Sequence, residues 1–104
     1  MMSQDESKEL IINVKDLSFK NDQHVEDLVR FLAGSLPKIN LNRDGNEIII
    51  SMPVNLSKRA LKLRIKKFLY KKGLSKDFRP ISLKLDNKEG YTVKEKKIIE
   101  LSYY

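Results

Sequence analysis

A chain of 104 residues that is 40% hydrophobic, 34% charged and 8% aromatic has the make-up of one ordinary globular domain; it is too short for two and too apolar for a disordered chain. It contains no cysteine, which excludes disulfide frameworks, thiolate nucleophiles and Cys-based zinc sites. Its 21 Lys and Arg against 14 Asp and Glu give a net charge of +7, and that excess on so small a body favours a polyanionic partner.

Residues 1–9 are polar and acidic, with neither a basic start nor an apolar stretch, so they read as a loose terminal segment, not a secretory signal. Residues 10–104 then form a single domain. Leu10-Ile11-Ile12-Asn13-Val14 suits a short strand, followed by a polar connection through Asp16 and Lys20. Asn21 or Asp22 can cap a helix in which Val25, Leu28, Val29 and Leu32 recur at i, i+3, i+4 and i+7. Glu26 and Asp27 lie near its start, where the helix dipole favours negative charge, and Gly34 with Pro37 is expected to close it.

Ile39 and Leu41, the turn residues 42–46 and the returning residues 47–52 predict a hairpin, which Pro53 ends because it has no N–H to pair. Ser57 is placed to cap a second helix over residues 58–72, with Gly73 ending it. Residues 79–85 alternate, with Ile81, Leu83 and Leu85 on one face. Residues 86–90 read as a turn and residues 91 to about 101 as the last strand, its Lys94-Glu95-Lys96-Lys97 patch facing solvent or forming a bulge. The order β-α-β-β-α-β-β predicts an α+β domain in which two helices pack on an antiparallel sheet. Apolar runs reach only three residues, as at Ile48-Ile49-Ile50, far below the roughly 20 of a membrane span, so a soluble intracellular protein is expected.

The positive excess has an address. Residues 57–72 hold Lys58, Arg59, Lys62, Arg64, Lys66, Lys67, Lys71 and Lys72 and no acidic residue; removing those eight leaves 13 basic against 14 acidic side chains elsewhere. At about 100° per residue, Leu61, Ile65, Phe68 and Leu69 form one apolar stripe that must pack on the sheet. Arg59, Lys62 and Lys66 line one flank, with Leu63 and Tyr70 beside them; Arg64, Lys67 and Lys71 line the other. Like charges crowded on one helix repel, and no acidic residue four positions away relieves this, which favours an external polyanion over a purely solvated face. The stripe is no wider than a core-facing helix needs and has no exposed Trp or Phe belt, which disfavours a membrane surface. All eight cations are candidate RNA-binding residues. Phe68 and Phe78 are expected in the core, and Tyr70 as a partly buried anchor, with stacking on an unpaired base as its alternative.

Ser57-Lys58-Arg59-Ala60-Leu61-Lys62, then Lys66-Lys67-Phe68-Leu69, then Leu74 with Asp77-Phe78 and Arg79, make a string that resembles the eukaryotic large-subunit ribosomal protein twenty-two family, which is unrelated to the bacterial protein of the same number. Ile48-Ile49-Ile50-Ser51-Met52-Pro53-Val54 is similar to the family's strand before that helix, and Asn87-Lys88-Glu89-Gly90-Tyr91 to its final hairpin turn. The resemblance runs from about residue 39 to 99 and is weaker but collinear over the first strand and helix. It implies a compact α+β constituent of the large subunit that binds ribosomal RNA, sits among neighbouring ribosomal proteins, and works on cytoplasmic ribosomes after assembly in the nucleus or nucleolus. It also implies Lys58, Arg59, Lys62, Lys66 and Lys67 as RNA contacts, with Lys71 and Lys72 aligned less strictly. Relatives often carry a lysine-rich start, an acidic tail, a Gly-rich loop after the first helix and aromatics within the second. Here the loop is Ser35-Leu36-Pro37-Lys38, the helix positions are Ala60 and Leu63, and neither extension is expected.

Catalysis is not expected. There is no P-loop, dinucleotide fingerprint or HExxH. His24, the single histidine, reads as a surface residue; Ser57 is a cap before it is a nucleophile; Arg43-Asp44-Gly45 is a turn, not a metal loop. No catalytic residue, metal, cofactor, membrane or small-molecule partner is predicted. The alternatives to a ribosomal role are an extra-ribosomal binder of RNA stem-loops and an interaction module for an acidic protein.

Overall fold

A computed structural model describes residues 7–36, 38–85 and 88–96. In chain order they form β1 (Ser7–Asn13), α1 (Lys15–Lys20), α2 (Asp22–Ser35), β2 (Asn40–Asp44), β3 (Glu47–Pro53), α3 (Lys58–Lys71), β4 (Phe78–Leu85) and β5 (Lys88–Glu95). The five strands make one sheet in the order β2-β3-β1-β5-β4. This is the expected small α+β domain, with two differences in its make-up.

The first is the sheet, which is mixed and not wholly antiparallel. β1 pairs antiparallel with β3, as do β2 with β3 and β4 with β5, but β1 and β5 run parallel through Ile11↔Gly90, Ile12↔Tyr91 and Asn13↔Thr92. Hairpins announce themselves locally, whereas a pair joining the two ends of the domain leaves no mark in any short window. The second is α1, which occupies the connection expected to be merely polar. Leu17 and Val14 are fully buried there, so one apolar side chain in the helix anchors it to the core.

Several boundaries move for identifiable reasons. β1 starts at Ser7, so residues 7–9 are not part of a loose end; they pair with Ser51, Met52 and Pro53. Asn21, not Asp22, caps α2, its side chain accepting the Gln23 N–H at 3.0 Å. That helix runs through Gly34 to Ser35. The β2–β3 turn narrows to Gly45 and Asn46; Gly45 has φ 63, the positive angle that a type II′ hairpin needs at its first central residue. β5 resumes at Lys88, which places Gly90 inside the strand and not in a turn. β4 and β5 pair one to one from Phe78↔Glu95 to Leu85↔Lys88, so there is no bulge at Lys94. On β4 the core-facing residues are Phe78 and Pro80, while Ile81 and Leu83 lie on the opposite face and Ile81 is exposed. Pro80 is tolerated because β4 is an edge strand. Pro37, Asp86 and Asn87 of the expected turn over 86–90, residues 1–6, and residues 97–104 with Tyr103 and Tyr104 lie outside the described residues.

The core lies between one face of the sheet and α2 with α3. Ile48, Ile50 and Met52 of β3, Leu10 and Ile12 of β1, and Tyr91 and Val93 of β5 meet Val25, Leu28 and Leu32 of α2 and the apolar stripe of α3. The Phe31 and Phe68 rings, 5.7 Å apart and tilted by 51°, join the two helices.

Candidate nucleic-acid interface

α3 is pinned at both ends by its own sequence. The Ser57 hydroxyl accepts the Ala60 N–H at 3.1 Å. At the other end Gly73, at φ 73, donates to the Tyr70 carbonyl at 3.1 Å, and Leu74 donates to that of Leu69 at 2.7 Å. These two bonds form a Schellman closure, with buried Leu74 as its apolar contact. Between the caps, Leu61, Ile65, Phe68 and Leu69 are each at most 2% exposed, as the stripe predicted. Burying them fixes which cations can face outward.

The eight basic side chains of this segment are not equivalent. Counted from Lys58 at about 100° per residue, the stripe covers about 280° to 20°, and Lys58 itself at 0° and Lys72 at about 320° fall inside it. Both are consequently tied down. The Lys58 ammonium donates to Ser82 Oγ and to the Glu89 carboxylate, each at 3.3 Å, and lies 5.0 Å from the Tyr91 ring centroid. Tyr91 in turn donates its hydroxyl to the Lys58 carbonyl at 3.1 Å. Burial pushes the Tyr91 phenol up, and the Glu89 carboxylate adds to this. Lys72 bonds the Asp27 carboxylate at 2.9 Å, and this bond, followed by one from Gln23, holds the Asp27 carboxyl below its usual range. Lys71 sits 5.7 Å from the Phe31 ring centroid. Arg59, Lys62, Arg64, Lys66 and Lys67 have no ion pair among the described residues.

The packing also adds residues that the helix alone did not point to. β4 and the end of β5 run beside α3, so Arg79 and Lys96 join Lys66 and Lys67 around an open groove of about 450 Å³. Leu63 and Tyr70 line the same groove. Tyr70 is 77% exposed and is not the partly buried anchor expected; Leu63 is 52% exposed. Phe68 and Phe78 are core residues. The sequence held a signal for Arg79, which stands directly after buried Phe78, but its nearness to α3 is a matter of tertiary packing.

Elsewhere the acidic residues of α2 do more than answer a helix dipole. Asp22 and Glu26 grip the Arg43 guanidinium, which donates to Asp22 Oδ2 at 3.0 Å and to Glu26 Oε2 at 2.8 Å. The Arg43 bond, helped by one from Ser18, holds the Asp22 carboxyl well below its ordinary range, at about 2. His24 is half-buried and not fully at the surface, with a buried Nδ1 that has no hydrogen-bond partner among the described residues. Among those residues, no three His, Cys, Asp or Glu side chains gather to hold a metal ion, and no helix is long and apolar enough to cross a membrane.

The sequence profile of the Ribosomal L22e protein family matches residues 6–100, from the start of β1 past the end of β5. No individual curated protein matches the chain. The family match covers nearly the whole chain, including the capped basic helix and the strands that hold it, so the chain belongs to the Ribosomal L22e protein family, structural constituents of the large ribosomal subunit.

Proposed function

We propose that this protein docks on RNA of the large ribosomal subunit through the outward face of α3. The observation that carries this reading is the row of cations without ion pairs among the described residues: Arg59, Lys62, Arg64, Lys66 and Lys67, on a helix that the apolar stripe and both caps hold rigid. Folding such a face without neighbouring carboxylates leaves repulsion that phosphates would relieve, with release of condensed counterions. The base edges of A-form RNA are hidden in a deep, narrow groove, so the helix reads backbone shape, phosphates and 2′-hydroxyls. Arg59 and Arg64 hold a phosphate with two N–H donors each, the lysines with one mobile charge. Lys71 adds to this face. Lys58 and Lys72, already neutralised by Glu89 and Asp27, contribute less. Work on cytoplasmic ribosomes and assembly in the nucleus or nucleolus belong to the same reading.

Filter binding to large-subunit RNA across a salt series tests it. Replacing Arg59, Lys62 and Lys66 together with Gln should lower the slope of log affinity against log salt by about 2 to 3, since each phosphate contact contributes roughly 0.7 to 0.9. Replacing Lys58 and Lys72 together should change the slope by less than about 1. Melting of the triple variant should stay within about 0.5 kcal/mol of the parent, because the side chains removed are not in the core. An unchanged slope in the triple variant refutes the role of α3.

A further inference from the structure

The groove beside α3 has a composition that a plain phosphate-binding face does not need. Leu63, Lys66 and Tyr70 stand at i, i+3 and i+7, so two turns of helix place them on one wall, and Arg79, Pro80 and Lys96 supply the other. The lining combines an exposed flat aromatic ring and apolar side chains with cations, and no acidic residue lines it among the described residues. The volume of about 450 Å³ lies within the roughly 300–1,000 Å³ of small-ligand sites. Lys96 is held across the end of the groove, its ammonium donating to the Ser75 carbonyl at 2.8 Å, whereas Lys66 and Arg79 have no ion pair among the described residues. An occupant that complements this lining has an apolar planar part and negative charge at its edges.

We propose that the groove takes one unpaired nucleotide of RNA, its base stacked on the Tyr70 ring against Leu63, and its flanking phosphates held by Lys66 and Arg79. This rests on the reading of α3 as an RNA-docking helix and adds to it a distinction between continuous duplex and duplex with an extruded base. Stacking is tolerant of base identity because every base has a π-face, so the groove selects an unpaired position and not a sequence. The cation row on α3 runs directly into the groove through Lys66 and Lys67, so a backbone tracked along the helix arrives at Tyr70 without a break.

Two RNA hairpins with the same stem, one carrying a single bulged 2-aminopurine and one fully paired, test this with the full chain by fluorescence anisotropy at low salt. The bulged hairpin should bind more tightly by about 5- to 150-fold, the range of one base stacked on an aromatic ring. Its 2-aminopurine emission should also fall on binding. Tyr70→Ala should abolish that preference and the quenching while leaving affinity for the paired hairpin unchanged, and Tyr70→Phe should retain both. Equal affinity for the two hairpins, or an equal loss on both with Tyr70→Ala, overturns the inference alone; that is the result a groove built for a protein side chain would give. Failure of the parent protein to bind either hairpin overturns the inference together with the RNA reading beneath it.

Discussion

Gly90→Ala tests the one feature of the sheet that no local pattern announced. A Cβ built on Gly90 would lie 1.8 Å from the Ile11 carbonyl oxygen and 2.7 Å from both the carbonyl carbon and the nitrogen of Ile11. All three are backbone atoms of the central strand β1, so no side-chain rotation makes room. Relief requires β1 and β5 to separate by more than about 1 Å, well beyond what hydrogen bonds near 2.9 Å tolerate. Overpacking a core usually costs about 1–3 kcal/mol. A clash confined to backbone belongs at or above the top of that range, so about 3 kcal/mol or more is expected. For a domain of this size each kcal/mol moves Tm by about 4–8 °C, which puts the loss at about 12 °C or more. Thermal unfolding followed by circular dichroism measures it, with Gly34→Ala as the control. Gly34 lies in the last turn of α2 with nothing within 4 Å of its would-be Cβ, so the added methyl should raise Tm through its better helix propensity, by up to about 1 kcal/mol. A Gly90→Ala protein melting within 2 or 3 degrees of the parent would refute the close parallel pairing of β1 with β5.

Truncating the stripe of α3 should separate its faces: Phe68→Ala should cost about 3–5 kcal/mol and Leu61→Ala about 2–5 kcal/mol in denaturant unfolding. Leu63→Ala, at a half-exposed position, should cost far less, and comparable losses at all three sites would show that the faces are wrongly assigned. The Asp22–Arg43 contact predicts a pH signature. Because folding lowers the Asp22 carboxyl from 3.8 to about 2, its contribution to stability is full above about pH 4 and is lost as the pH falls towards 2. The Tm gap between the parent and Asp22→Asn should therefore shrink across that window; a gap constant from pH 6 to pH 2 would mean that the carboxylate is not engaged.

Much was legible before any tertiary structure. The Ser57 cap, the Gly73 closure, the stripe of Leu61, Ile65, Phe68 and Leu69 and the β2–β3 hairpin are properties of short windows, where spacing and turn chemistry act directly. The concentration of charge in residues 57–72 was equally plain, as was the family string it carries. A count of charges treats all eight cations alike, and nothing in the segment itself tethers Lys58 to Glu89 or Lys72 to Asp27. What no window contains is adjacency between distant segments. The end of β1 reads as an isolated run until β5 lies parallel to it, and Gly90 reads as a turn residue until Ile11 stands against it.

Fold class and the charge-bearing helix were readable from the chain because periodicity, caps and composition are local quantities, and the family from its resemblance to a string of residues between Ser57 and Arg79. Packing settles which of those cations have no ion pair among the described residues and what stands beside them. Asp27 and Glu89 reach Lys72 and Lys58 from 45 and 31 residues away. Arg79 and Lys96 arrive at α3 only because β4 and β5 close the sheet next to it, since pairing free energies are set by distance in space and not along the chain.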